Sequence, residues 1–200
     1  MLAARTVRPV RRLVPAARGD TLTDMRVATT IAETRWALGE VRREGGAVGM
    51  VPTMGYLHDG HLSLMTAARA ETDFVIATIF VNPLQFAPGE DLDSYPRDPE
   101  GDAAKAEAAG VDVLFTPSDA EMYPEPILTT VSVAELSQGM EGATRPTHFD
   151  GVATVVAKLF NIVQPDVACF GQKDIQQVTL IRRMIQELDF PVRIREVAQQ

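Results

Sequence analysis

A single cysteine, Cys169, stands in the 200 residues, so no internal disulfide can form and a reducing, cytoplasmic setting is the default. Its place inside the apolar run "DVACF" reads as a small core residue. No apolar stretch approaches the eighteen or so residues that a membrane-crossing helix needs. Cations are also in short supply: 19 Lys and Arg against 27 Asp and Glu, a formal net charge of -8. That balance argues against a nucleic-acid-binding surface, which wants clustered Lys and Arg. An anionic ligand would need locally placed cations or backbone N–H groups. Histidine is scarcer still, at three residues, yet two of them, His58 and His61, fall three positions apart in "PTMGYLHDGHLSL" with Gly60 between them.

What is present divides the chain in two. Residues 1–24 carry Arg5, Arg8, Arg11, Arg12 and Arg18 with no acid before Asp20, unlike the acidic remainder. They read as a basic extension, expected to be disordered, or as a start placed too early with Met25 as the natural beginning. An Arg-rich, acid-poor transit-like peptide is the other reading. The chain is 46% hydrophobic, and residues 25–200 are long enough to bury one ordinary core.

Within 25–200 the hydrophobic period alternates. "RVATTIAETRWALGEVRREG" predicts a helix, closed by Gly45 and Gly46. "AVGMVP", "DFVIATIFV", "VDVLFTP", "DVACF" and "PVRIREV" predict strands, and "LTTVSV" a further one of uncertain direction. "HLSLMTAARAET", "DPEGDAAKAEAAG", "GVATVVAKLFNIVQ" and "QKDIQQVTLIRRMIQEL" predict helices. Near-continuous apolar strands alternating with helices indicate an α/β fold, a Rossmann-like doubly wound parallel sheet with helices on both faces. Ligands of such sheets sit beyond the carboxyl ends of the strands, where strand order reverses.

Three strand ends carry polar clusters. Met54, Gly55, Tyr56, Leu57, His58, Asp59, Gly60 and His61 follow the first; Asn82, Pro83 and Gln85 follow "DFVIATIFV"; Gly171, Gln172, Lys173 and Asp174 follow "DVACF". Their convergence suggests a site for a polar, anionic ligand. His61 falls in the first turn of a helix, whose N–H groups and dipole attract anions, and Gly60 permits close approach. Imidazole N–H groups there stabilise charge growing on phosphate oxygens. Zinc binding, or a purely structural loop and cap, are the competing readings of the pair. Lys173 and Asp174 equally suit an exposed helix start, and Asn82 and Gln85 turn chemistry. One of Gln176 and Gln177 can face the cleft. The role of Arg145 and His148, in "GATRPTHFDG", stays open.

"VPTMGYLHDGHLSL", "IFVNPLQF", "YPRD", "RPTHFDGV" and "FGQKDIQQ", in this order, closely resemble the pantothenate synthetase (pantoate–β-alanine ligase) family, within the superfamily of His-x-Gly-His nucleotidylyltransferases. The resemblance runs from about Met25 to Glu196. It implies ATP-dependent condensation of (R)-pantoate with β-alanine through a pantoyl adenylate, releasing AMP and diphosphate, with Mg²⁺ carried on ATP and no protein metal cage. By position it implies that Met54 to His61 line the ATP phosphates, with His61 the proton donor and His58 its companion. It places Gly171 to Asp174 on ATP, Lys173 at phosphate oxygens and Asp174 at the ribose, and Ile194 at the adenine. Gln85, Gln177 and Asn82 become substrate contacts, amides suiting pantoate's hydroxyls. It implies a cytoplasmic homodimer. The family's Ser-Ser-Arg segment and C-terminal lid domain have no match before Gln200. A lidless domain that binds ATP or pantoate with little turnover, and a different His-x-Gly-His adenylyltransferase, are the alternatives.

Overall fold

The computed structural model describes residues 25–87, 90, 92, 94–136, 145 and 147–198; the expectations for residues 1–24 lie outside them. Six strands form one sheet: β1 (Arg26–Ala28), β2 (Val48–Thr53), β3 (Phe74–Ile79), β4 (Val113–Phe115), β5 (Val167–Gly171) and β6 (Arg193–Val197). Every neighbouring pair is parallel, in the order β1-β4-β3-β2-β5-β6. Strand order therefore reverses between β2 and β5, and the loops after those two strands flank the crevice that such a reversal opens.

Alternate residues of the strands enter different cores, as the pleat requires. Val48 and Met50, Ile76, Val113 and Phe115, and Ala168 and Phe170 pack with helices α1 (Ile31–Arg43), α5 (His148–Val163) and α6 (Ile175–Glu187). Val51, Val75 and Ala77, Leu114, and Val167 and Cys169 face α2 (Asp59–Glu71) and α3 (Pro99–Ala108). Cys169 is fully buried, and burial pushes its thiol up to about 11. A short helix α4 (Asp119–Met122) follows β4. Helix α5 is apolar nearly all round, with twelve buried residues; a helix of that kind belongs inside the protein.

Three expectations change. "LTTVSV" forms no strand: Val133 is buried and Val131 packs on the core, its N–H bonded to Thr154 Oγ1 of α5 at 2.9 Å. The sheet edge beyond β4 is instead taken by β1, read in sequence as the start of a helix. Three residues are too short for a period to show. "QKDIQQ" also starts later than expected: Gln172–Asp174 is a single 3₁₀ turn and α6 begins at Ile175.

Candidate active site

The loop after β2 climbs through two left-handed residues, Gly55 (φ 87°) and Tyr56 (φ 52°), before α2. Glycine suits the first; tyrosine in the second is a strained choice that its surroundings must hold. They do so through Asp102 of α3, which is 2% exposed. Its carboxylate accepts the Tyr56 N–H at 2.8 Å and the Leu57 N–H at 2.6 Å. One helical turn on, Lys105 Nζ donates to the Leu57 carbonyl at 2.9 Å. Both polar backbone groups of Leu57 are thus tied to one face of α3.

The two histidines then cap α2 through each other. His58, the N-cap, accepts the Gly60 N–H on its Nδ1 at 3.1 Å, and the His58 N–H points at His61 Nδ1 at 3.4 Å. Their rings lie 4.1 Å apart between centroids. An Nδ1 that accepts leaves the ring proton on Nε2, so each neutral imidazole keeps an Nε2–H donor. The N–H of Gly60, the residue expected to let a phosphate approach closely, is engaged in this cap.

Burial, and secondarily the neighbouring His58, hold His61 down at about 4, an effect that Asp102 partly offsets. The unfolded chain takes up this proton near the ordinary value of 6.5 and the folded chain near 4. Between those values the unfolded state carries more protons, so stability from His61 is complete above pH 6.5 and drains away as pH falls towards 4. The urea midpoint should therefore rise with pH across that window, and the slope should flatten in His61→Ala. An unchanged slope would mean that His61 titrates normally.

Across from His61, the 3₁₀ turn Pro83–Gln85 presents Gln85, 8% exposed. Its backbone N–H reaches the Asn82 carbonyl at 3.1 Å. Its carbonyl accepts from Arg145 Nη2 at 3.2 Å and from His148 Nδ1 at 3.0 Å, a bond that places the His148 proton on Nδ1. Arg145 is in turn held by Glu90, whose carboxyl the guanidinium keeps down at about 2. The residues whose role is open in the sequence thus brace the Gln85 turn. Asn82, expected as a substrate contact, is fully buried, its amide engaged by Gln85, Gly151 and Tyr123.

A cleft of about 160 Å³ lies between these elements at the β2/β5 reversal, lined among others by Met54, His61, Gln85, Asp174 and Gln177. Five expected residues therefore meet there. His58, Gln172 and Lys173 are exposed and outside its lining, and Ile194 packs against the core from β6. A larger hollow of about 480 Å³ runs beside α3, sharing Met54 and Phe80 with the cleft. Among its described lining residues, Asp98, Asp102 and Asp119 stand against a single cation, Arg97, a charge balance that repels a polyphosphate.

Residues 26–199 match the family model described as pantoate-beta-alanine ligase. The chain belongs to the pantoate–β-alanine ligase family. It is 58% identical over 174 residues to a pantothenate synthetase of Agrobacterium fabrum, covering 87% of this chain and 60% of that protein. A pantothenate synthetase structure from Thermus thermophilus superposes with a TM-score of 0.83 at 54% identity, over 88% of this chain and 62% of that one. A pantoate–β-alanine ligase from Francisella tularensis, solved as a complex with beta-gamma ATP and β-alanine, gives a TM-score of 0.83 at 38% identity, over 88% and 67%. The chain thus spans about three fifths of the length of the first two relatives. Within this family frame, Asp102, Glu90 and Tyr123 are the residues that sequence reasoning missed. "YPRD" points near Asp102 but carries no signal of its partner loop.

Proposed function

We propose that this chain binds ATP and pantoate at the β2/β5 cleft and catalyses adenylation of the pantoate carboxylate, the first half of pantothenate formation from pantoate and β-alanine. The observation that carries the reading is the meeting of His61, Gln85, Asp174 and Gln177 in one cleft at the strand reversal, in a chain of this family. The ATP and β-alanine of the Francisella complex support the same ligands here.

A carboxylate resists attack by an amine, and transfer of AMP to it creates a good leaving group. A pantoate carboxylate oxygen bonds to the α-phosphorus while the bond to pyrophosphate breaks. The β-alanine nitrogen then bonds to the acyl carbon, AMP departs, and the amine proton is lost. The protein's part is alignment and charge stabilisation. His61 and His58 offer neutral Nε2–H donors to phosphate oxygens beside the positive end of α2. Lys173, exposed after β5, swings a cation to the same oxygens, and Asp174 meets the ribose. Gly171, Gln172 and Ile194 border the nucleotide along β5 and β6, while Gln85 and Gln177 hold pantoate. Among the described residues no group of three His, Cys, Asp or Glu side chains is placed to hold a metal; Mg²⁺ would arrive on the phosphates. A homodimer in the cytoplasm is the assembly and setting we infer from the family resemblance.

The test is pantoate-dependent pyrophosphate release from Mg-ATP by the 200-residue chain. Release is expected, and His61→Ala should lower it about 10²–10³-fold, the usual effect of losing one donor to developing charge. Full activity in that variant would remove His61 from the mechanism. Binding of ATP or pantoate without release would make the site a binding module.

A further inference from the structure

Gln85 enters the cleft with one polar atom uncommitted among the described residues. Its backbone N–H, its carbonyl and its Oε1 all have partners, the last being Asn82 Nδ2 at 3.1 Å. Nε2 is what remains for a ligand. Which end of the amide faces the cleft depends on Asn82, and the orientation of Asn82 is forced. Its Nδ2 also lies 3.0 Å from the Gly151 carbonyl, a group that only accepts. Nδ2 must therefore be the end that faces α5 and Gln85, and Oδ1 the end that faces Tyr123. The Tyr123 hydroxyl donates to that Oδ1 at 2.8 Å. A second donor to Oδ1 is the Leu84 N–H, at 3.4 Å, a long and weak contact.

We propose that Tyr123 is a positioning residue that, through Asn82, locks the Gln85 amide with its NH₂ towards the cleft, so that Gln85 offers only donors there and takes a ligand oxygen that accepts. The carboxylate and hydroxyl oxygens of pantoate fit this demand, and the proposal rests on the reading of Gln85 as a pantoate contact. Asn82 is fully buried, and removing the Tyr123 hydroxyl would leave its Oδ1, away from water, with only the long Leu84 contact, a costly way to break a hydrogen bond. A freed Asn82 can rotate and release Gln85 with it. Tyr123 is well suited to the task because its ring is fixed edge-on by Phe80, at 5.8 Å between centroids, and by Lys158 Nζ, 5.3 Å from the ring centroid. Burial pushes its phenol well above the ordinary range, so the hydroxyl remains a donor throughout the working pH range. Tyr123 does not line the cleft, so its effect on ligand must pass through Asn82.

Tyr123→Phe keeps the ring and removes the donor. Pantoate affinity by calorimetry should fall about tenfold while ATP affinity stays within about twofold, the loss expected of one hydrogen bond's worth of positioning. Gln85→Glu, which still accepts from Asn82 but cannot donate, should lose pantoate binding altogether. Side-chain amide resonances of Asn82 and Gln85, recorded without ligand, should be sharp and protected from exchange in the parent and averaged in Tyr123→Phe. Unchanged pantoate affinity with unchanged amide resonances would overturn the proposal, as would an equal loss of ATP and pantoate affinity, the mark of a merely structural role. If the parent itself bound no pantoate, the substrate reading would fail, and the amide resonances alone would decide whether the lock exists.

Discussion

Asp102→Ala should unfold the loop that carries the histidines and lower stability by about 2–6 kcal/mol, an estimate from leaving one buried and one part-buried N–H donor without their carboxylate at about 1–3 kcal/mol each. The donors are those of Tyr56 and Leu57, held at 2.8 and 2.6 Å. Tyr56 sits at φ 52°, a backbone conformation that costs on the order of 1 kcal/mol in a non-glycine residue and persists only while something holds it. With the carboxylate gone, the loop relaxes and His58 and His61 lose their shared cap. In a protein of this size the loss corresponds to a melting temperature lower by ~10 °C, with adenylation abolished. Asp102→Asn should fall between, since its amide oxygen accepts one N–H while its NH₂ confronts the other. Thermal denaturation and pyrophosphate release check both. An Asp102→Ala protein within about 1 kcal/mol of the parent would mean that water in the neighbouring hollow replaces the carboxylate.

Asp102 also marks where the sequence ceases to be legible. His58, Gly60 and His61 declare themselves because a helix N-terminus, a glycine and two imidazoles fall within four residues, and Asp174 because it follows an apolar strand, while only the family resemblance singles out Gln177 from Gln176. Those are short-range patterns. Asp102 is 46 residues from Tyr56, and its neighbours "DPEGDAAK" read as an ordinary acidic first turn. Tyr123 is 41 residues from Asn82, with only a short helix to announce it. Neither spacing nor period carries such pairings, because β4, β3 and β2 must first stand side by side to bring α3 and α4 to the loops. The same holds for β1: "RVA" becomes a strand through its register with Val113–Phe115, not through its own pattern. Asn82 illustrates the converse. Its place after a strand suggests a ligand contact, yet its burial and the hydrogen bonds of its side-chain amide make it a support for Gln85.

Gly151→Ala is expected to disrupt the half of the cleft we propose for pantoate, without touching any residue that lines its floor at β2. In a helix interior such a change normally stabilises by up to about 1 kcal/mol, because alanine loses less freedom on folding. Gly39 of α1 provides that case: a Cβ there meets nothing within 4 Å, and Gly39→Ala should be stabilising by about 0.5–1 kcal/mol. At Gly151 the sign reverses. A Cβ would overlap the Leu84 carbonyl and lie 2.8 Å from the Gln85 backbone nitrogen, main-chain atoms that no rotamer change can move aside. Either α5 retreats or the Pro83–Gln85 turn is pushed away, and overpacking of this kind costs about 1–3 kcal/mol. Both routes break the bond between Asn82 and the Gly151 carbonyl, on which the amide orientation of Gln85 depends. Pantoate affinity should fall by more than about 100-fold, against about tenfold for Tyr123→Phe, because the whole turn shifts and not only its amide. ATP affinity should survive, since α2 and the loop after β5 pack against other elements. Calorimetry on the Gly151→Ala and Gly39→Ala pair separates a local clash from a general effect of alanine. Retention of pantoate affinity at Gly151→Ala would show that the turn yields without misplacing Gln85, and the tight seat of α5 on that turn would then be packing alone.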